Sequence, residues 1–268
     1  MTLTIATWNI NSVRLRIRQV GRFLDTYAPD VLCLQEIKCP PDRFPHKPFA
    51  ARGYEHRLVN GQKGYHCVAI VSRRPFLATS LRAFCGKDDA RHCAATIDDG
   101  ADGIVVHNLY VPAGGDEPDP VINQKFAHKL AFVDELKGWL TGAETERKSI
   151  LVGDLNIAPH ENDVWSHKQL LRVVSHTPVE TEGLELFRKS GDWIDAARHF
   201  VPLEEKLYTW WSYRAPDWEA ANKGRRLDHI WVTRKLAHRL ETFEIIRATR
   251  GWTRPSDHVP VIVRIGPA

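Results

Sequence analysis

Apolar positions along the chain switch repeatedly between a period of two and a period of three to four, which predicts short strands alternating with amphipathic helices. Residues 3–8 read as a strand ending at Asn9. Val13, Ile17, Val20 and Leu24 then fall at i, i+4, i+7 and i+11, one stripe of a helix whose other face carries Arg14, Arg18 and Arg22. Pro29-Asp30 ends it, because proline lacks the N–H and clashes with the preceding turn. Residues 31–34 predict a buried strand running into Gln35-Glu36, and residues 68–72 and 104–110 predict two more. Ile122, Phe126, Leu130, Val133, Lys137 and Leu140 keep helical spacing, with Lys137 the one polar break. Residues 150–152 form a strand that ends in Gly153-Asp154-Leu155-Asn156. The stretch 160–203 reads as helical and irregular, and strands return at 229–233, 240–246 and 259–265.

No linker, low-complexity run or fixed-period repeat interrupts this alternation. Some connections are too short for parallel crossovers, so the sheets are expected to be mixed. The expectation is one compact α/β domain spanning residues 1–268.

Composition narrows the class. Hydrophobic residues at 43% and charged residues at 26% are those of a globular protein rather than a disordered one. No apolar run approaches the ~20 residues of a membrane-spanning helix. The first residues lack the basic and apolar regions of a secretory signal and read as a strand. The cysteines, Cys33, Cys39, Cys67, Cys85 and Cys93, are odd in number and include no C-x-x-C pair. That argues against a disulfide framework or a structural zinc site, and a cytoplasmic setting fits best. Positive charge is unevenly spread: residues 205–255 hold 11 Lys and Arg against 6 Asp and Glu, an excess of 5 in a chain whose net charge is +4. A polyanionic partner would select such a stretch.

Polar groups recur where apolar strands end: Asn9 and Asn11, Gln35 and Glu36, Tyr110, Asp154 and Asn156. Residues two apart in extended backbone share a face, so Asn9 with Asn11 and Asp154 with Asn156 can each aim both groups into one cleft. Singly, each has a plain structural explanation, since Asp and Asn after a strand commonly form turns and Glu36 can pair with Lys38. Together they form an oxygen-rich set with one Asp257-His258 dipeptide. Oxygen ligands of this kind suit Mg²⁺ or Mn²⁺ rather than zinc. The chain has no phosphate-binding P-loop and no G-x-S-x-G elbow, and Val164 spoils the zinc pattern that His160-Glu161 begins. Phosphodiester hydrolysis needs phosphoryl charge neutralised, a water deprotonated and a leaving oxygen stabilised, and this inventory covers all three tasks.

Six ordered segments carry a resemblance: residues 8–14 (Trp-Asn-Ile-Asn-Ser-Val-Arg), 34–38 (Leu-Gln-Glu-Ile-Lys), 108–112 (Asn-Leu-Tyr-Val-Pro), 153–159 (Gly-Asp-Leu-Asn-Ile-Ala-Pro), 226–228 (Arg-Leu-Asp) and 256–260 (Ser-Asp-His-Val-Pro). The sequence resembles the exodeoxyribonuclease III/abasic-site endonuclease family of the endonuclease–exonuclease–phosphatase superfamily. That resemblance implies a four-layer α/β sandwich, two mixed β-sheets packed face to face and flanked by helices. It implies that Glu36, supported by Asn9, holds Mg²⁺ (Mn²⁺ as a substitute) against the scissile phosphate. Asp154 would act on the attacking water or the leaving oxygen, Asn156 would position phosphate or water, and Tyr110 would hydrogen-bond the phosphate. His258 would donate to a phosphoryl oxygen, with Asp228 orienting its ring and Asp257 as a further metal or network carboxylate. Asn156, Asp154 and His258 are thus candidates for both catalysis and the metal site, and Asn11 stands where some relatives carry Asp.

An aromatic stretch, 208–213, and a basic and aromatic one, 250–254, correspond in the family to the loops around a flipped-out, base-free sugar. Trp210 and Leu227 are the expected pocket residues, and Arg225 and Trp252 the expected rim. Ala113 replaces a frequent Gln or Asn, and Cys67 a frequent Gly. The implied activity is Mg-dependent incision of double-stranded DNA 5′ to abasic sites and/or 3′→5′ removal of nucleotides and 3′ blocking groups, by a monomer with no membrane partner. Two other classes compete: a catalytically weak nucleic-acid-binding regulator, which should have lost several of Glu36, Asp154, Asp228 and His258, and a superfamily phosphoesterase acting on a non-DNA substrate.

Overall fold

A computed structural model describes residues 2–141 and 146–267, so positions 1 and 268 of the expected domain, and 142–145 within it, lie outside the described residues. The strands are β1 (Leu3–Asn9), β2 (Val31–Gln35), β3 (His56–Asn60), β4 (Val68–Ser72), β5 (Phe76–Leu81), β6 (His92–Ile97), β7 (Ile104–Tyr110), β8 (Ser149–Asp154), β9 (Ile194–Asp195), β10 (Trp210–Trp211), β11 (Gly224–Arg225), β12 (Asp228–Val232), β13 (Leu240–Ile245) and β14 (Val261–Ile265). The helices are α1 (Ile17–Tyr27), α2 (His46–Ala50), α3 (Gln124–Lys137), α4 (His167–Leu170), α5 (Pro178–Ser190), α6 (Ala196–Phe200), α7 (Trp218–Ala221) and α8 (Arg234–Ala237).

Twelve of the strands build two six-stranded sheets, ordered β13-β14-β1-β2-β4-β3 and β5-β6-β7-β8-β12-β9. Both are mixed, as expected: β1–β2 and β7–β8 are parallel, joined through α1 and α3, and the remaining pairs are antiparallel. Alternation along the central strands explains the layering. In β1, Leu3 and Ile5 face the second sheet, while Ala6 and Trp8 face α1. In β8, Ile150 and Val152 face inward, and Leu151 packs outward with Phe132, Val133 and Leu136 of α3. Strands buried on both faces read as mostly apolar runs, which is why β1, β2, β7 and β8 stand out in the sequence despite buried polar residues such as Thr7, His107 and Asn108.

Six strands, β3, β5, β6, β9, β10 and β11, go beyond the elements expected from the sequence. β3 is half-buried throughout and β5 almost wholly exposed, so neither carries an apolar run. β9 likewise lies inside the stretch expected to be helical and irregular. The last strand begins at Val261 rather than 259.

The helix read from the stripe 122–140 is turned from its expected face. It starts at Gln124, capped by the Asn123 side chain, which accepts from the Lys125 and Phe126 N–H groups, so Ile122 precedes it and is exposed. The buried face is Phe126, Lys129, Phe132, Val133 and Leu136. A lysine in that face is what displaced the apparent stripe, and its burial has a specific cause described below.

All five cysteines are free thiols. Burial pushes the Cys33 thiol well up, consistent with its expected place in the core. Among the described residues, no helix is long and apolar enough to cross a membrane.

Candidate active site

The two parallel strand pairs deliver their C-terminal ends to one edge of the sandwich, where α/β folds commonly place sites. Asn9 ends β1, Glu36 follows β2, Tyr110 ends β7 and Asp154 ends β8. Glu36 sits in left-handed backbone, φ 49°, as does Asn156 at 54°. Non-glycine residues adopt this region rarely, and it persists only where surrounding contacts enforce it. Gly153 has φ 146°, and a Cβ there would collide with the Leu109 carbonyl of the neighbouring strand. Glycine at that position lets β8 run close against β7 just before Asp154.

Asn9 is the wholly buried hub. Its Nδ2 donates to Glu36 Oε1 at 3.0 Å and to Asp154 Oδ2 at 2.9 Å, joining the sheets. Tyr110 Oη also donates to Glu36 Oε1, at 2.8 Å. Glu36 Oε2 pairs with Lys38 Nζ at 2.8 Å, and that ammonium also donates to Asn11 Oδ1 at 2.6 Å. Asn11 Nδ2 in turn donates to Asp257 Oδ1 at 3.1 Å. Asp154 Oδ1 accepts from the Asn156 backbone N–H at 2.9 Å, and Oδ2 accepts from Asn156 Nδ2 at 3.2 Å.

His258 occupies the centre. Its Nδ1 donates to Asp228 Oδ2 at 2.8 Å, and its Nε2 lies 3.6 Å from Asp154 Oδ2. Thr209 Oγ1 donates to the same Asp228 oxygen at 2.6 Å and accepts from the Leu227 and Asp228 N–H groups. Burial pulls the His258 pKa down, but Asp228 and Asp154 outweigh it and raise it to about 10, leaving the ring cationic at neutral pH. Asp154 is raised, chiefly by burial and further by Asp228, against the pull of His258. Burial also pushes Glu36 up, yet Lys38 and Asn9 bring it below the usual carboxylate range.

A cleft of about 540 Å³ opens above this floor, lined by Glu36, Tyr110, Asn156, Asp257 and His258. Trp210, Leu227, Arg225, Trp165 and Val173 complete its lining. Asp154 and Asn9 lie just beneath the floor, 1% and 0% exposed. Trp210 Nε1 donates to Asp257 Oδ2 at 3.0 Å, and the Arg225 guanidinium stacks 5.3 Å over the Trp210 ring.

Trp252 is not brought to this cleft. It packs edge-on to Trp8 at 6.5 Å with the Arg22 guanidinium 4.3 Å above it, on the outer face of the first sheet. Its half-buried ring packs against the core under α1, away from the cleft lining. Thr209 and Lys129 belong to the surroundings of the site and carry no motif in the sequence. Lys38 does have a signal, the Leu-Gln-Glu-x-Lys spacing, but it lends itself equally to a surface pair.

Two groups compete for a cation. Ligand atoms of Asp154, Asp228 and His258 lie within 4.8 Å of one another, close enough to hold a metal ion. A metal-ligating imidazole must be neutral, so an ion in this group would have to displace the His258 proton that Asp228 and Asp154 favour. Glu36 and Asp257 both line the cleft and offer carboxylate oxygens of the kind a hard divalent ion takes. Glu36 already draws the Lys38 ammonium to 2.8 Å.

The Endonuclease/Exonuclease/phosphatase family matches residues 6–258. The chain belongs to this family. The chain is similar to an exodeoxyribonuclease III from Haemophilus influenzae, 30% identical over 264 residues that cover 95% of this chain and 97% of the relative. Among solved structures, the 3′ phosphatase NExo from Neisseria, bound to a product DNA hairpin, superposes with a TM-score of 0.88 at 32% identity, covering 98% of this chain and 99% of that one. An AP endonuclease from Archaeoglobus fulgidus gives 0.88 at 31% identity, covering 97% and 98%. Within the endonuclease/exonuclease/phosphatase family this chain is an enzyme of the exodeoxyribonuclease III type, and its two face-to-face sheets are the architecture of these neighbours.

Proposed function

We propose that the chain is a divalent-metal-dependent DNA phosphodiesterase of base-excision repair, incising duplex DNA 5′ to abasic sites and/or clearing nucleotides and blocking groups 3′→5′. The observation that carries this reading is the His258 ring held between Asp228 and Asp154, on the floor of the cleft that also holds Glu36.

In hydrolysis 5′ to an abasic site, a water oxygen bonds to phosphorus, the P–O3′ bond breaks and the leaving 3′ oxygen takes a proton. Asp154, its pKa raised towards neutrality, is suited to take the proton of the attacking water. Asn156 holds both Asp154 oxygens and keeps the carboxylate aimed. The His258 imidazolium donates from Nε2 to a phosphoryl oxygen as negative charge grows there, and Asp228 fixes the Nδ1 proton. Tyr110 Oη, whose one proton goes to Glu36 Oε1 in the free site, would turn it to the phosphate. A divalent cation, Mg²⁺ or Mn²⁺, held by Glu36 with Asp257 nearby, would neutralise phosphoryl charge and position the phosphate.

DNA as substrate rests on the named relatives and on the basic groups Arg214, Lys223 and Arg225 at the cleft. The apolar wall of Trp210 and Leu227 suits a sugar without its base. A monomer acting in the cytoplasm completes the reading.

The test is a labelled duplex with one abasic-site analogue, run beside an intact duplex and a 3′-recessed duplex, with Mg²⁺, with EDTA and with Glu36→Ala protein. Magnesium-dependent cleavage just 5′ of the abasic site, lost in the variant, is expected. Shortening of the recessed end alone would make the enzyme an exonuclease. Cleavage that persists in EDTA or in Glu36→Ala would overturn the role given to that carboxylate.

A further inference from the structure

Lys129 and Glu180 form an ion pair at 2.5 Å, with both side chains wholly buried. A sealed pair of this kind is commonly no more stabilising than apolar residues of the same volume, so stability alone does not account for it. What the ammonium touches does. A lysine head has three protons; besides Glu180, the Lys129 head donates to the Asn156 carbonyl at 2.8 Å and the Ala113 carbonyl at 3.3 Å.

Those carbonyls belong to the irregular segments that follow β8 and β7, the strands that end at Asp154 and Tyr110. Neighbouring bonds brace both segments, Leu155 N–H to the Leu227 carbonyl at 2.8 Å, Asn156 Nδ2 to the Val111 carbonyl at 2.9 Å and Asn123 Nδ2 to the Gly114 carbonyl at 2.8 Å, while the Asn156 and Ala113 carbonyls themselves accept from the Lys129 ammonium. Gly114 has φ 89° and lies against the lysine stem, where a Cβ would come within 2.9 Å of Lys129 Cδ. Glu180 carries the connection onward. Its carboxylate accepts from the Ser175 N–H at 2.9 Å, the Thr177 N–H at 3.1 Å and Thr177 Oγ1 at 2.7 Å. Ser175 Oγ then accepts from Arg225 Nη1 at 2.7 Å, and Arg225 covers Trp210. One buried pair therefore ties the backbone beneath the cleft floor to the cleft's aromatic wall.

We propose that Lys129 is a positioning residue: its ammonium clamps the Asn156 and Ala113 carbonyls so that Asn156 holds the Asp154 carboxylate in its working orientation. The activity part of the proposal rests on the phosphodiesterase reading above. Loss of the clamp leaves the substrate-facing side chains in place but loosens their aim, so kcat falls while KM changes little.

Lys129→Met alone strands the Glu180 charge and is expected to unfold the protein. The informative variant is Lys129→Met combined with Glu180→Gln, which removes both charges while the Gln oxygen still caps Ser175 and Thr177. Expected are a melting temperature near wild type, a kcat on the abasic duplex lower by about 10–100-fold with KM within about threefold, and faster amide exchange in segments 111–115 and 154–158. A folded double variant with kcat near wild type, or one whose kcat falls with exchange unchanged, overturns the proposal. Wild-type protein carrying ¹⁵Nζ-labelled lysine gives a check that needs no variant. One slowly exchanging ammonium signal with cross-relaxation to Ala113 and Asn156 is expected, and its absence would also overturn the clamp. If wild-type protein cuts no duplex, the phosphodiesterase reading fails, while the exchange and ammonium measurements still decide the clamp.

Discussion

Asp154 and Asp228 are directly opposite partners across the antiparallel β8–β12 pair. Two buried carboxylates so placed repel, and one would ordinarily take up a proton. Here the His258 ring lies between them and carries the compensating positive charge, which is why its pKa rises to about 10. The strand register thus creates the pocket of negative charge, and the 256–258 loop fills it. Ser256 Oγ, donating to the Asn9 carbonyl at 2.7 Å, and Trp8 Nε1, donating to the His258 carbonyl at 3.0 Å, hold that loop on the end of β1.

Asp228→Asn keeps the size of the side chain but removes the charge that orients and protonates His258. Steady-state kcat on an abasic duplex should fall by about 10²-fold or more, with duplex binding nearly unchanged. A kcat within about threefold of wild type would contradict the orienting role.

Glu36→Gln keeps the contacts to Asn9 and Tyr110 within reach while weakening the site for a cation. At saturating Mg²⁺ the loss in kcat should be about 10²-fold, equivalent to about 2.7 kcal/mol, and the midpoint of the Mg²⁺ titration should move to higher concentration. An unchanged midpoint would place the ion elsewhere.

Asp163 supplies the pH prediction for stability. It is wholly buried; burial raises its pKa, but Arg226 and Arg198 overcome that and lower it to about 2. The unfolded value is about 3.9, so its ionised form stabilises the fold by roughly 2–3 kcal/mol above about pH 4. That contribution is lost as pH falls through about 2. Urea unfolding of wild type and Asp163→Asn should differ most at neutral pH and converge between about pH 4 and pH 2. A gap independent of pH would show that the charge is not what matters.

Gly153→Ala should be among the most destabilising single-methyl additions in the chain, because the new Cβ meets backbone rather than a side chain that can turn away. A loss of roughly 3 kcal/mol or more in urea unfolding is expected. A cost below about 1 kcal/mol would mean that β8 can shift away from Leu109.

The central strands and α1 were legible because both of their surroundings are apolar or their stripe is simple. Edge strands were not. β5 is exposed along nearly its whole length, so its pairing with β6 leaves no periodic trace. The shift in the face of α3 has the same origin: a pattern reading counts Lys129 as polar, although its partner Glu180, 51 residues away, makes that position part of the core.

The amino-acid sequence by itself determined the strand and helix alternation, the edge at which polar groups gather and the residue types there, since each depends on neighbours a few positions away. Only the tertiary structure decided which of those groups touch. Asn9 and Asp154 meet across 145 residues of chain, Trp210 reaches Asp257 beside the cleft, and Trp252 turns away to cover Trp8. Both tryptophans lie in the C-terminal third, and the arginine over each, Arg225 on Trp210 and Arg22 on Trp252, is distant in sequence. Their different positions follow from which buried surface each ring is brought to when the two sheets close.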